Sequence, residues 1–164
     1  MKIRTNLVAG AAGAILLNLI HELARKTLTQ APHVNEIGEE GVVKISESLG
    51  KEAPHGNALY ATTLASDFIG NAFYYSAVGK GSPKNIWLRG LGLGLTAGIG
   101  ALALPSKLGL DDQPVKRSNL TQVLTVAWYT LGGIAAAGVA DYLQRRRPVD
   151  EEEKRLSADA HADD

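Results

Sequence analysis

Asp67 can do chemistry where charge is costly. It lies near the middle of a stretch with almost no other charge, Ala58–Gly79, and Asn71 follows one helical turn later on the same face. If that stretch is a helix in lipid, a carboxylate at such depth is costly unless it is paired, hydrated or protonated. Residues of this kind often mark proton or ion handling. The competing reading is structural: Asn71, a serine or a backbone group holds the carboxyl and fastens two helices together. A second group sits at Asn18, His21, Glu22 and Arg25. His21 and Arg25 are four residues apart, as are Asn18 and Glu22, so each pair shares a helix face. Such a patch can receive a proton or pair with a neighbouring connection. Its place at the end of an apolar run favours a plain interfacial network.

Other chemistries lack their parts. His21-Glu22 has no second histidine to complete the zinc-protease helix pattern, and His33 and His55 lie in a connection, so no metal site is expected. The run Gly90-Leu91-Gly92-Leu93-Gly94 has the glycines of a phosphate loop without a preceding strand or a Gly-Lys-Ser/Thr ending, so nucleotide binding is not expected. Serine-nucleophile and paired-carboxylate constellations are missing, which points to a chain that is not an enzyme and needs no cofactor. The absence of cysteine removes disulfides and thiol chemistry. The 17 basic residues are balanced by 17 acidic ones, so no broad attraction to nucleic acid is expected.

The elements that must hold Asp67 and the His21 group are four segments nearly free of charge, 6–24, 58–79, 86–104 and 119–143. Each is close to the ~20 residues a helix needs to cross a bilayer. The average composition hides this, since an apolar content of 45% also suits a soluble domain. What differs is segregation: no charge occurs between Leu91 and Ser106, or between Ser118 and Ala140. The third segment carries Gly90, Gly94 and Gly98 on one helix face, which suits close helix–helix packing in lipid. Gly10 and Ala14, and Gly132, Ala136 and Ala140, offer matching small faces. These faces pack within one chain or form the seam of a homo-oligomer.

Lys2, Arg4 and the apolar run behind them have the outline of a secretory leader. The run continues into His21-Glu22-Leu23-Ala24-Arg25-Lys26 with no small-x-small cleavage site, so a retained first helix is expected. In the connection 27–57, Ile37, Gly41, Val42, Ile45 and Leu49 recur at helical spacing, with Glu36, Glu39, Glu40, Lys44 and Glu47 between them. This predicts an amphipathic helix over about 35–49 that caps the bundle. Residues 80–85 form a tight turn, Pro105 ends the third span, and 111–114 is a surface loop. Arg89 is expected to snorkel to the surface, and Asp141 to pair with Arg145 or Arg89. A charged tail, 144–164, extends the last helix by a turn or two and then frays. With four crossings the N-terminus, the 80–85 turn and the C-terminus share one side. Lys2, Arg4, Lys80, Lys84, Arg89 and Arg145-Arg146-Arg147 face Arg25, Lys26, Lys107, Lys116 and Arg117 across the membrane. The basic excess puts both termini in the cytoplasm.

Residues 9–32, in which Ala-Gly-Ala-Ala-Gly-Ala leads to His21-Glu22-x-x-Arg25 and then Ala31-Pro32, resemble the opening of a group of small uncharacterised bacterial integral membrane proteins. The resemblance implies a bacterial membrane protein and no particular activity. The expectation is therefore an all-α chain: a four-helix transmembrane bundle with an amphipathic helix in the first connection, one membrane domain over 1–143. Its setting is the bacterial inner membrane, its partners the lipid bilayer and a homo-oligomer. A structural or interaction role is set against two alternatives, a small proton- or solute-handling transporter or channel using Asp67, and a soluble bundle rich in alanine and glycine.

Overall fold

The computed structural model describes residues 3–160, with side chains for residues 3–146. Among the described residues the chain is all-α. Its helices are α1 (Ile3–Thr27), α2 (Val34–Ser48), α3 (Gly56–Ser76), α4 (Ile86–Lys107), α5 (Gln113–Lys116) and α6 (Asn119–Ala160). Local chemistry sets several of the ends. Gly50, at φ 65°, closes α2 with its N–H bonded to the Glu47 carbonyl at 2.9 Å. The Ser118 hydroxyl accepts the Thr121 N–H at 3.0 Å and caps α6. Two 3-10 turns, Ala77–Gly79 and Pro83–Asn85, make the short reversal between α3 and α4.

Small residues decide the packing. α4 lies along α6, α6 along α1, and α1 along α3, whereas α3 and α4 hardly touch. A Cβ placed on Gly90, Gly94 or Gly98 would lie 2.5 Å from the Gly133 carbonyl oxygen, 2.5 Å from Thr130 Cα or 2.6 Å from Val126 Cα. The three glycines therefore let the α4 and α6 backbones meet. On the other side of α6, Gly13 and Gly132 leave room for the fully buried ring of Tyr75, whose hydroxyl donates to the Tyr129 carbonyl at 2.7 Å. The buried set is accordingly rich in alanine and glycine: Ala9, Gly10, Gly13 and Ala14 on α1, and Ala136, Ala137 and Ala140 on α6. Large apolar side chains point outward, among them Val8, Ile15, Leu19, Ile69, Phe73, Leu88, Ile99 and Val123. That is the reverse of a water-soluble bundle, in which leucine and isoleucine fill the centre.

Among the described residues three stretches are long and apolar enough to cross a membrane: Ile3–Thr27, Pro83–Lys107 and Asn119–Arg146. The expected second span is not among them, because Thr62, Thr63, Ser66, Asp67 and Asn71 lower the hydropathy of α3. α3 is nevertheless a full helix packed along α1. Two boundaries differ from expectation. Pro105 does not stop α4, which continues to Lys107. Pro105 has no N–H to bond the Ala101 carbonyl, so one helical hydrogen bond is forgone, but only two helical residues follow it and its own carbonyl accepts from Leu108 and Leu110 at 3.0 and 2.8 Å. α6 runs well beyond Leu143, and its 42 residues reach about 60 Å at 1.5 Å per residue, twice a hydrocarbon core. Of the expected charged tail, the side chains of 147–160 and all of 161–164 lie outside the described residues, as does Lys2.

One end of the bundle is tied by its connections. Arg117 donates to the Thr29 carbonyl at 3.1 Å and to that of Ala31, and the His33 N–H bonds the Pro114 carbonyl at 3.0 Å. The Asp111 N–H donates to Glu40 Oε2 at 2.7 Å, and Lys44 bonds Glu40 at 3.1 Å and the Gly109 carbonyl. The Asp111 amide and then Lys44 hold the Glu40 carboxyl below the ordinary glutamate value. A depressed carboxyl stabilises the fold above its unfolded pKa and loses that contribution as pH falls through the folded value. Lowering the pH from 6 to 3 should therefore release the 109–111 turn from α2. Amide exchange, corrected for intrinsic rate, should show the Asp111 protection falling while that of α6 holds; unchanged Asp111 protection would refute the coupling.

Candidate interhelical cavity

Five polar residues of α3 form one stripe, whereas Thr62 and Ser66 are exposed on the face of Ile69 and Phe73. Tyr60, Thr63, Asp67, Asn71 and Tyr74 recur at three- and four-residue intervals, so a straight helix presents them on a single face. Because α3 leans on α1 and hardly touches α4, a gap opens between α3 and α4. It is a cavity of about 670 Å³. α1 contributes Asn18, His21, Glu22 and Arg25 to its lining, α3 its polar stripe, and α4 the residues Thr96, Ala97, Gly100, Ala101 and Leu104. Tyr129 of α6 and Ile37, Gly38 and Gly41 of α2 also line it. Gly38 sits where a Cβ would meet Thr63 Cγ2 at 2.6 Å, so α2 comes close to α3 without a side chain between them. The helix expected to cap the bundle therefore contributes to the cavity lining.

Both sequence-derived clusters line this cavity. Asn71 donates from Nδ2 to Asp67 Oδ1 at 2.9 Å and to the Asp67 carbonyl at 3.0 Å, the i,i+4 arrangement expected of them. In the α1 cluster the pairing is Glu22 with Arg25 through two hydrogen bonds of 2.9 Å. Tyr60 joins them from α3: its hydroxyl donates to Glu22 Oε1 at 2.6 Å, Arg25 donates to it at 3.2 Å, and the guanidinium stands 5.4 Å from its ring centroid. His21 does not pair with Arg25; its ring packs against Trp128 and Tyr129 of α6 at 5.3 and 5.6 Å between centroids. His21 Nε2 and Thr63 Oγ1 are buried without a hydrogen-bond partner. The third expected set, Gly90, Gly94 and Gly98, takes no part in the cavity and lies on the α6 side of the helix.

Among the cavity residues that sequence reasoning missed are Tyr60, Thr63 and Tyr129. Tyr60 and Thr63 were legible as members of the Asp67–Asn71 face at heptad-like spacing, whereas nothing in the sequence pairs Tyr129 with His21. Outside the cavity, Asp141 bonds Arg145 at 3.1 Å. Arg89 turns back to the Val78 and Ser82 carbonyls at 2.9 and 2.8 Å, which secures the α3–α4 reversal.

Comparison with protein-family models, curated proteins and solved structures found no match. The chemistry of the cavity therefore rests on its own residues. Its wall is mainly apolar, with a polar stripe along α3 and a neutralised ion pair at one end. Such a space suits a small molecule with an apolar body and a few polar atoms.

Proposed function

We propose that this chain is a four-span bacterial inner-membrane protein without enzymatic activity, and that its role is to bind a small, largely apolar molecule in the cavity between α3 and α4. In this reading α3 is the fourth span, its polar stripe turned toward the cavity and its Ile69 and Phe73 toward lipid. The observation that carries the reading is the convergence of Asp67, Asn71, His21 and the Glu22–Arg25–Tyr60 group on one cavity of about 670 Å³. The gap between α3 and α4 gives a ligand access from the bilayer. Both termini face the cytoplasm, where Arg4, Lys80, Lys84, Arg145 and Arg146 collect. A proton- or solute-handling role is the second reading, favoured by the position of Asp67 beside this cavity. It requires that reconstituted chain carry a flux that Asp67→Asn removes.

The binding reading is tested with a neutral alkyl-diazirine probe on the chain in lipid nanodiscs. Saturable photolabelling should fall on cavity residues such as Leu64 and Ala97 and disappear in Gly100→Phe, which fills the cavity from α4. Gly100 has only Leu104 Cδ1 near its missing Cβ, at 3.6 Å, so the backbone accommodates the change. Labelling that is unsaturable everywhere, or unaltered in Gly100→Phe, would defeat this reading.

A further inference from the structure

Resting on the binding reading above, we infer that the cavity selects a lipophilic organic cation, an apolar chain or ring system carrying a protonated amine, with Asp67 as its counter-ion. The charged groups on the wall give the sign. Glu22 and Arg25 neutralise each other through a two-bond pair that Tyr60 completes, and His21 lies buried against two aromatic rings. α2 and α4 bring no charged side chain to the lining, and α6 brings Tyr129. Asp67 is thus left as the carboxyl without a cationic partner, because its Asn71 contact is a neutral amide. A lone carboxylate beside an apolar space attracts an opposite charge far more strongly than the same group in water.

Two further observations fit a protonated amine. Thr63 Oγ1, one turn before Asp67 on the same face, and His21 Nε2 have no hydrogen-bond partner; the hydroxyl can accept an N–H, as can a His21 ring that carries its proton on Nδ1. Tyr74 and Tyr129 belong to the same wall and supply aromatic rings, which favour cations over anions. An anionic amphiphile would meet Asp67 with like charge and find Arg25 already engaged. A neutral one would leave the carboxylate unpaired.

The test uses three ten-carbon molecules that differ in head-group charge at pH 7: decylamine, decanol and decanoate. Saturable binding of each is measured by equilibrium dialysis on the full chain in zwitterionic nanodiscs, against empty nanodiscs. Decylamine should bind at least tenfold more tightly than decanol, and decanoate more weakly than both. Asp67→Asn should remove the preference for decylamine over decanol, and Asp67→Glu should keep it. Equal binding of the three, or an undiminished preference in Asp67→Asn, overturns the inference while the cavity reading stands. Should Asp67→Asn not fold, the order among the three molecules on the unaltered chain decides alone. If none binds although the neutral diazirine probe labels saturably, only the charge selection fails; if neither occurs, the cavity reading fails with it.

Discussion

Gly94→Leu should unfold the α4–α6 pair, at a cost of about 3 kcal/mol, the upper end of what overpacking usually costs. At this position a Cβ would stand 2.5 Å from Thr130 Cα and 2.8 Å from the Tyr129 carbonyl oxygen. Those are backbone atoms, so no rotamer change relieves the clash and the helices must separate. Separation also disturbs the Gly90 contact with Gly133 and the Gly98 contact with Val126, because all three glycines share one seam. It further shifts the Tyr129 carbonyl that accepts the buried Tyr75 hydroxyl. Gly92 supplies the control: it is in the same helix, yet nothing lies within 4 Å of its missing Cβ. Gly92→Leu should not destabilise the chain, and the higher helix propensity of leucine should add up to about 1 kcal/mol. Unfolding of the purified chain in mixed micelles with rising denaturing detergent measures both. Equal effects at positions 92 and 94 would mean that the α4–α6 seam is not the one described.

The second large effect comes from removing one half of an ion pair. Arg25→Leu leaves the Glu22 carboxylate at the cavity wall with only the Tyr60 hydroxyl. Breaking a fully buried pair costs about 3–5 kcal/mol. Here the side chains keep 31% and 27% of their exposure, so about 2 kcal/mol is expected. The double change Glu22→Gln with Arg25→Leu should recover more than half of that loss, because the uncompensated charge is then gone. The same micelle unfolding assay, run as a double-mutant cycle, measures the coupling. Strictly additive losses would show that the two groups do not depend on each other.

Much of the helix pattern was legible because its signals are local. Long runs without charge marked α1, α4 and the first part of α6, and the 3.6-residue spacing of Ile37, Gly41, Ile45 and Leu49 marked α2. The small-residue faces told which helices approach closely, since a glycine at every fourth position has little purpose on a surface that faces lipid. Less legible was the relation between α3 and its neighbours. Asp67 read alone is an expensive group in a helix. Read with Tyr60, Thr63, Asn71 and Tyr74 it belongs to a polar stripe, and a stripe implies something polar or empty opposite. That the opposite side is a gap depends on α4 being drawn toward α6 by Gly90, Gly94 and Gly98, a long-range consequence no local pattern states. The end of α4 shows the converse limit: a proline here costs one hydrogen bond without stopping the helix at once, and the sequence alone does not tell whether α4 ends before Pro105 or two residues after it.

The central claim is that α3 crosses the membrane despite its polar stripe, so that the cavity lies within the bilayer. The natural absence of cysteine makes the direct test clean. Lys51→Cys, between α2 and α3, and Ser82→Cys, in the reversal between α3 and α4, place single thiols at the two ends of that helix. In intact cells a membrane-impermeant maleimide should label position 51 from outside, and position 82 only after the membrane is opened. Equal accessibility of the two positions from the same side would contradict the account, leaving three spans with α3 lying outside the bilayer.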